Sequence, residues 1–165
     1  MSRFFALALA VAACAVAPAL AGGPAAAAEA RAGLPPVTVH KSPACGCCGK
    51  WIEYLEAAGF EVRVRDTHEL GAVKKQALGM PMSMASCHTA EIDGYVVEGH
   101  VPVGDIHRLL AERPQARGIA VPGMPLGSPG METVDGRVEP YATLLVADDG
   151  SATVFARHGE GNEEK

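Results

Sequence analysis

The chain has 165 residues, with 14 Lys+Arg against 19 Asp+Glu for a net charge of −5, and 48% of it is apolar although aromatics are only 5%. This acid excess, with no basic run longer than Lys74-Lys75, excludes a protein that wraps a nucleic-acid backbone, which needs clustered cations to displace counterions. The apolar content excludes a disordered chain, and the length suits one domain of about 100–200 residues.

Residues 1–21, MSRFFALALAVAACAVAPALA, have the layout of an export signal. Arg3 supplies the positive start, an Ala/Leu/Val stretch follows, and Ala19-Leu20-Ala21 is an A-x-A cleavage site, with Ala26-Ala27-Ala28 a second. The apolar stretch is at the low end for an uncleaved membrane span, and small residues dominate it. Val11-Ala12-Ala13-Cys14 resembles a lipobox, which would acylate Cys14 and tie the chain to a membrane. Either route predicts a periplasmic or otherwise exported protein, and both remove Cys14 from the thiols of the folded domain. Residues 22–33, GGPAAAAEARAG, read as a flexible linker, 34–158 as the domain, and 159–165, GEGNEEK, as a polar tail.

Within the domain, Val37-Thr38-Val39-His40 alternates with period two and predicts a strand. A cysteine loop follows, then a helix over Cys48–Ala58 with Trp51, Ile52, Leu55 and Ala58 on one face and Gly59 ending it. Glu61–Arg65 alternates again. Asp66 with Glu69 three residues on predicts a capping box, opening a helix whose buried stripe is Leu70, Val73, Ala77 and Leu78. His88–Ile92 and Tyr95–Glu98 flank Asp93-Gly94, a hairpin turn pair, and Pro102 opens a helix with Val103, Ile106, Leu109 and Leu110 inward. The order is β-α-β-α-β-β-α, the thioredoxin-like α/β arrangement. Residues 114–140 are rich in Gly and Pro and predict a long loop lying across the domain surface. Thr143–Val146 and Thr153–Ala156 then flank Asp149-Gly150 as a C-terminal hairpin extension.

Chemistry concentrates in Cys45-Gly46-Cys47-Cys48, between the first strand and the first helix. As Cys45-x-x-Cys48 it is a redox pair, its thiol acidified by the helix N-terminus. As C-x-C-C it is a thiolate cluster for a soft metal ion. A third adjacent thiol, Cys47, invites off-pathway disulfides in a dithiol exchanger but serves a metal site. Cys45 and Cys48 can converge across one helical turn, whereas neighbouring Cys47 and Cys48 diverge. Bridging sulfurs tolerate that divergence, and cuprous copper accepts them more readily than a tetrahedral structural zinc does. Cys87, just before the third strand, is the fourth sulfur. Two structural disulfides are the remaining alternative, although three cysteines crowded into one loop make poor staples. Met80, Met82 and Met84 alternate before Ser86-Cys87, and Met124 and Met131 bracket the Gly/Pro loop; thioethers suit Cu(I) but also fill gaps in packing. His40, His88 and His100 fall near strand ends on the cysteine side, with His88 the strongest candidate among them because it adjoins Cys87.

The segments VTVHKSPACGCCGKW, ASCHTAEIDGYVVEGHVPVGDIHRLL and GIAVPGMPLGSPGME resemble exported bacterial metal-binding proteins related to the copper-resistance protein CopG, over residues 37–158. The resemblance implies a thioredoxin-like domain with a C-terminal addition, binding more than one Cu(I) in a cysteine-bridged cluster and interconverting cuprous and cupric ions. By position the metal ligands would be Cys45, Cys47, Cys48 and Cys87, with His88, His100, Met124 and Met131 nearby. Copper ions and other exported copper-handling proteins would be the partners. A copper oxidoreductase activity is compatible with this; a thiol–disulfide oxidoreductase using Cys45 and Cys48 is the alternative. Against the alternative, Ser86-Cys87 stands where ordinary thioredoxins have a cis-proline.

Overall fold

The structure, a computed structural model, describes residues 33–159. The expected export signal, all but the last residue of the linker, and the tail beyond Gly159 lie outside the described residues.

Seven strands form one mixed sheet in the order β2-β1-β3-β4-β5-β6-β7. Strand β1 (Val37–Lys41) leads through helix α1 (Gly46–Ala57) to β2 (Val62–Asp66), which returns parallel to it with Val37 opposite Val62. A short helical turn, Leu70–Ala72, widens into a π-helix over Val73–Ala77, together called α2. The hairpin of β3 (His88–Ile92) and β4 (Tyr95–Glu98) joins the other side of β1, antiparallel, with Lys41 opposite His88. Helix α3 (Val103–Glu112) follows, then β5 (Gly118–Ala120) parallel to β4, and last the antiparallel pair β6 (Tyr141–Val146) and β7 (Ala152–His158). The fold is mixed α/β, and the order up to α3 is the β-α-β-α-β-β-α that periodicity predicts.

The main core lies between the sheet and helices α1 and α3. Trp51, Ile52 and Leu55 of α1 and Ile106 and Leu109 of α3 bury against Val37, Val39, Ala90, Ile92, Val97 and Ile119. Trp51 is fully buried, and its indole N–H donates to Val101 O at 2.9 Å. Helix α1 ends as its sequence suggests: Gly59, at φ 92°, donates to Glu56 O, and Phe60 donates to Leu55 O, which is the Schellman pattern. A smaller cluster of Met80, Val96, Ala120 and Val146 forms a second apolar patch.

Three local expectations need correction. Asp66 does not cap α2. It ends β2 opposite Lys41, whose ammonium lies 3.2 Å away, and Thr67 Oγ1 accepts the Glu69 N–H instead. Among the described side chains of α2 the inward one is Lys74, only 4% exposed, while Leu70, Val73 and Leu78 are half-buried. A buried carboxylate, Glu98, draws the lysine in. Finally, the Gly/Pro region hides a strand. At Gly118 a Cβ would fall 1.8 Å from Val96 O, so only glycine lets β5 pair so closely with β4.

Candidate metal centre

The centre is assembled where β1 ends and α1 begins. Cys45 is the N-cap of α1, with extended φ/ψ and no side-chain cap bond, so the first turn presents unpaired N–H groups beside the sulfurs. Cys45 and Cys48 are joined by a disulfide, and Cys47 and Cys87 are free thiols. Cys47 Sγ lies 3.5 Å from Cys45 Sγ and 3.7 Å from Cys87 Sγ, 40 residues further along the chain. Cys48 Sγ is 3.6 Å from the Cys87 carbonyl oxygen. The consecutive pair Cys47 and Cys48 therefore reaches different atoms of one residue, and all four sulfurs lie within 4.8 Å of one another.

Cys87 arrives there because of its own surroundings. The Ser86 N–H donates to Glu98 Oε1 at 2.6 Å, and the Ser86 hydroxyl donates to the Gly123 carbonyl. Glu98 is fully buried; it also accepts from the Lys74 ammonium, and from the Thr89 hydroxyl at 2.5 Å. This ion pair and its hydrogen bonds anchor the residue before Cys87 from below. Nothing in the local sequence of α2 marks Lys74 as part of it. The only sign of Glu98 is a carboxylate closing an otherwise apolar strand.

On the far side of Cys87 stand two imidazoles. His100 Nε2 is 3.0 Å from Cys87 Sγ, and His88 Nδ1 is 3.5 Å from it. His100 Nδ1 donates to Pro129 O at 2.8 Å. Trp51 packs on the His88 ring at 4.3 Å, and His100 meets it edge-on at 4.9 Å. Burial pushes His88 well below its ordinary pKa, with His100 and Lys74 adding to the shift, and burial also lowers His100. Both rings are thus neutral and keep a lone pair. Burial, and then the neighbouring Cys47, push the Cys87 thiol up to about 12.

The Gly/Pro segment after β5 closes over this corner, as its length suggests. Gly130, at φ 87°, has room for no side chain: a Cβ would lie 2.8 Å from Cys47 O and 3.0 Å from Trp51 N. Its N–H donates to Glu132 Oε1 at 2.7 Å, and the Tyr54 hydroxyl donates to the same oxygen, so α1 holds the loop. Met131 is half-buried next to Gly130, whereas Met124 is 51% exposed. The methionine run divides: Met80 and Met84 pack in the smaller core cluster, and Met82 is exposed. His40 is not part of the centre; its Nε2 bonds Glu91 at 2.8 Å.

The family described as "Protein of unknown function, DUF411" matches residues 84–131, a stretch that holds Cys87, His88, His100 and Gly130. No curated protein matches the sequence. Two solved structures do, "Copper resistance protein copG- Form 1" and "Copper resistance protein copG- Form 2". Each is 48% identical, covers 76% of this chain and 98% of its own, and has a TM-score of 0.71. The chain belongs to the CopG family. Within that family fold, a cysteine cluster that could bind metal occupies the corner between β1, α1 and β3.

Proposed function

We propose that this CopG-family chain is an exported copper-binding protein that holds more than one Cu(I) between Cys45, Cys47, Cys48 and Cys87. It would serve copper resistance by buffering copper or by cycling it between Cu(I) and Cu(II). The observation that carries this is the meeting of four sulfurs from two distant segments within 4.8 Å of one another. Thiolates are the donors soft Cu(I) prefers, and sulfurs packed this tightly can each bridge two ions. The α1 N-terminus favours the anionic sulfurs, and the 125–132 loop shields them from one side. Loading requires an external dithiol to reduce the Cys45–Cys48 disulfide by thiol–disulfide exchange, the dithiol leaving as its own disulfide and the chain gaining two thiols, whose protons the metal then displaces. The domain proposed for this work is residues 34–158, released after residue 21 or 28 or anchored through Cys14; among the described residues no helix is long and apolar enough to cross a membrane.

Anaerobic titration of the reduced chain with Cu(I), with thiols counted by alkylation, tests the reading. More than one Cu(I) per chain and protection of all four cysteines are expected. One tetrahedral ion per chain, or none, overturns the cluster.

The disulfide itself favours one second reading, a thiol–disulfide oxidoreductase with Cys45 and Cys48 as its redox pair. That reading requires turnover of a disulfide substrate that Cys45→Ser abolishes and Cys47→Ser preserves.

A further inference from the structure

The two edges of the sheet are not alike. Strand β7 pairs irregularly where Thr143 meets Leu144, and the Phe155 carbonyl at that point already accepts from Arg108 Nη1 at 3.0 Å. Irregularities of this kind blunt an edge against further pairing. Strand β2, at the other end of the strand order, pairs with β1 in one unbroken register from Val37–Val62 to Lys41–Asp66, and among the described residues no strand lies on its outer side. We propose that β2 is a docking strand, which takes up an extended segment of a partner protein that alternates apolar and acidic residues. This goes beyond the copper reading and needs no metal.

The β1–β2 ladder fixes which backbone groups are on offer. The Val37 N–H donates to Glu61 O and the Thr67 N–H to Lys41 O, both at 2.8 Å, so the backbone of Glu61, Arg63, Arg65 and Thr67 faces β1. In a parallel ladder the N–H and C=O of one residue point to the same side, and those of the next residue to the other. Val62, Val64 and Asp66 therefore turn both groups outward, about 6.6 Å apart. A row of this kind is what an incoming extended chain bonds when it adds a strand to a sheet.

The side chains decide what fits. Val62 and Val64 share the helix-side face with Val37 and Val39, and Val64 is 44% exposed, so an apolar residue set beside it would cover it. Arg63 and Arg65 are exposed and project from the opposite face, beside Thr38 and His40. The acids nearby are already engaged: Asp66 lies 3.2 Å from Lys41, Glu91 2.8 Å from His40 and Glu61 2.8 Å from Arg63. Arg65 has no ion-pair partner among the described residues. Opposite charges facing each other across neighbouring strands stabilise a sheet and like charges destabilise it, so carboxylates opposite Arg63 and Arg65 complete the edge. A second copy of the chain is the wrong occupant. Every antiparallel register that pairs Val64 with Val62, Val64 or Asp66 of another β2 sets arginine against arginine. The same two side chains thus deter self-pairing and select an acidic strand.

The probe is a short capped peptide of alternating valine and glutamate, titrated into the isotope-labelled, metal-free chain and followed by amide NMR. Shifts should concentrate on β2, and at saturation the Val62, Val64 and Asp66 amides should exchange more slowly with solvent. The same peptide with lysine in place of glutamate should bind at least tenfold more weakly, and Arg63→Glu with Arg65→Glu should invert that preference. Val64→Pro removes an outward donor and no bond to β1, so the β1 amides should stay protected while peptide affinity falls at least tenfold. No binding at millimolar peptide, shifts centred away from β2, equal binding of the two peptides, or affinity indifferent to Val64→Pro would each overturn the proposal. Self-association of the peptide-free chain through β2 would overturn it too. Because the titration is run without copper, loss of the thiolate-cluster reading leaves this inference standing, and loss of this inference leaves that reading untouched.

Discussion

At the scale of single residues, the centre depends on a charged pair that no metal touches. Lys74 and Glu98 are both buried, and a buried ion pair rarely stabilises a fold more than apolar residues of the same size would. What this pair does is hold Ser86, and through it Cys87. Removing one partner strands the other charge in the interior. Glu98→Ala should therefore destabilise the chain by about 3–5 kcal/mol in urea unfolding, and Lys74→Met combined with Glu98→Gln should recover much of that loss. Equal destabilisation by the single and the double variant would sink this account of the pair. Cys87 itself makes a second prediction. Its raised pKa, pushed up to about 12, means that it is a protonated thiol at neutral pH. Metal capture must expel that proton, so affinity should rise with pH, about tenfold per pH unit for this one proton while the thiol remains protonated. Competition titrations over a pH series measure it, and a flat profile contradicts it.

Among the elements, α1 matters most, because its N-terminus carries three of the sulfurs and its C-terminus carries none. The two ends should be separable. Gly59 closes the helix at φ 92°, where a side chain is strained. Gly59→Ala should cost about 1–2 kcal/mol in thermal or urea unfolding and leave metal stoichiometry as in the parent chain. A change in stoichiometry would mean that the site feels the whole helix rather than its first turn. Helix α2 shows the limit of local signals. Asp66 and Glu69 have the spacing of a capping box, yet Asp66 stays in the β1–β2 ladder because parallel pairing with Lys41 already uses it. Its stripe of apolar residues is likewise overruled, since the interior beside this helix holds the carboxylate of Glu98, which Lys74 meets with its ammonium.

Across the whole molecule, metal binding should be visible as stability. The reduced chain loses its one short cross-link, and the proposed ions would replace it with ties between α1 and β3. Cu(I) at a free concentration about a hundred times its Kd should stabilise the reduced protein by about 2.7 kcal/mol for each independently bound ion, with a chelator reversing the gain. Differential scanning calorimetry on reduced protein with and without Cu(I) checks this; an unchanged melting temperature would contradict binding to the folded state. The 125–132 loop belongs to the same scale. It crosses from the end of β5 to α1 and delivers the Pro129 carbonyl to His100 and Gly130 to the start of the helix, joining three separate parts of the fold at one point.

The sequence by itself determined the order of strands and helices as far as α3, the position of the C-x-C-C turn at a helix start, and the turns at Asp93-Gly94 and Gly59. Each is written in residues two to four positions apart, where side-chain alternation, helical spacing and backbone preference act directly. Only the tertiary structure decided that His100 faces Cys87, that Lys74 turns inward to Glu98, that β5 runs through a Gly/Pro stretch, and that Met80 belongs to a core rather than to the sulfur cluster. Those outcomes depend on which distant surfaces meet when the sheet is assembled. A buried charge or an imidazole takes its role from the partner it finds there, and its neighbours in the chain do not carry that information.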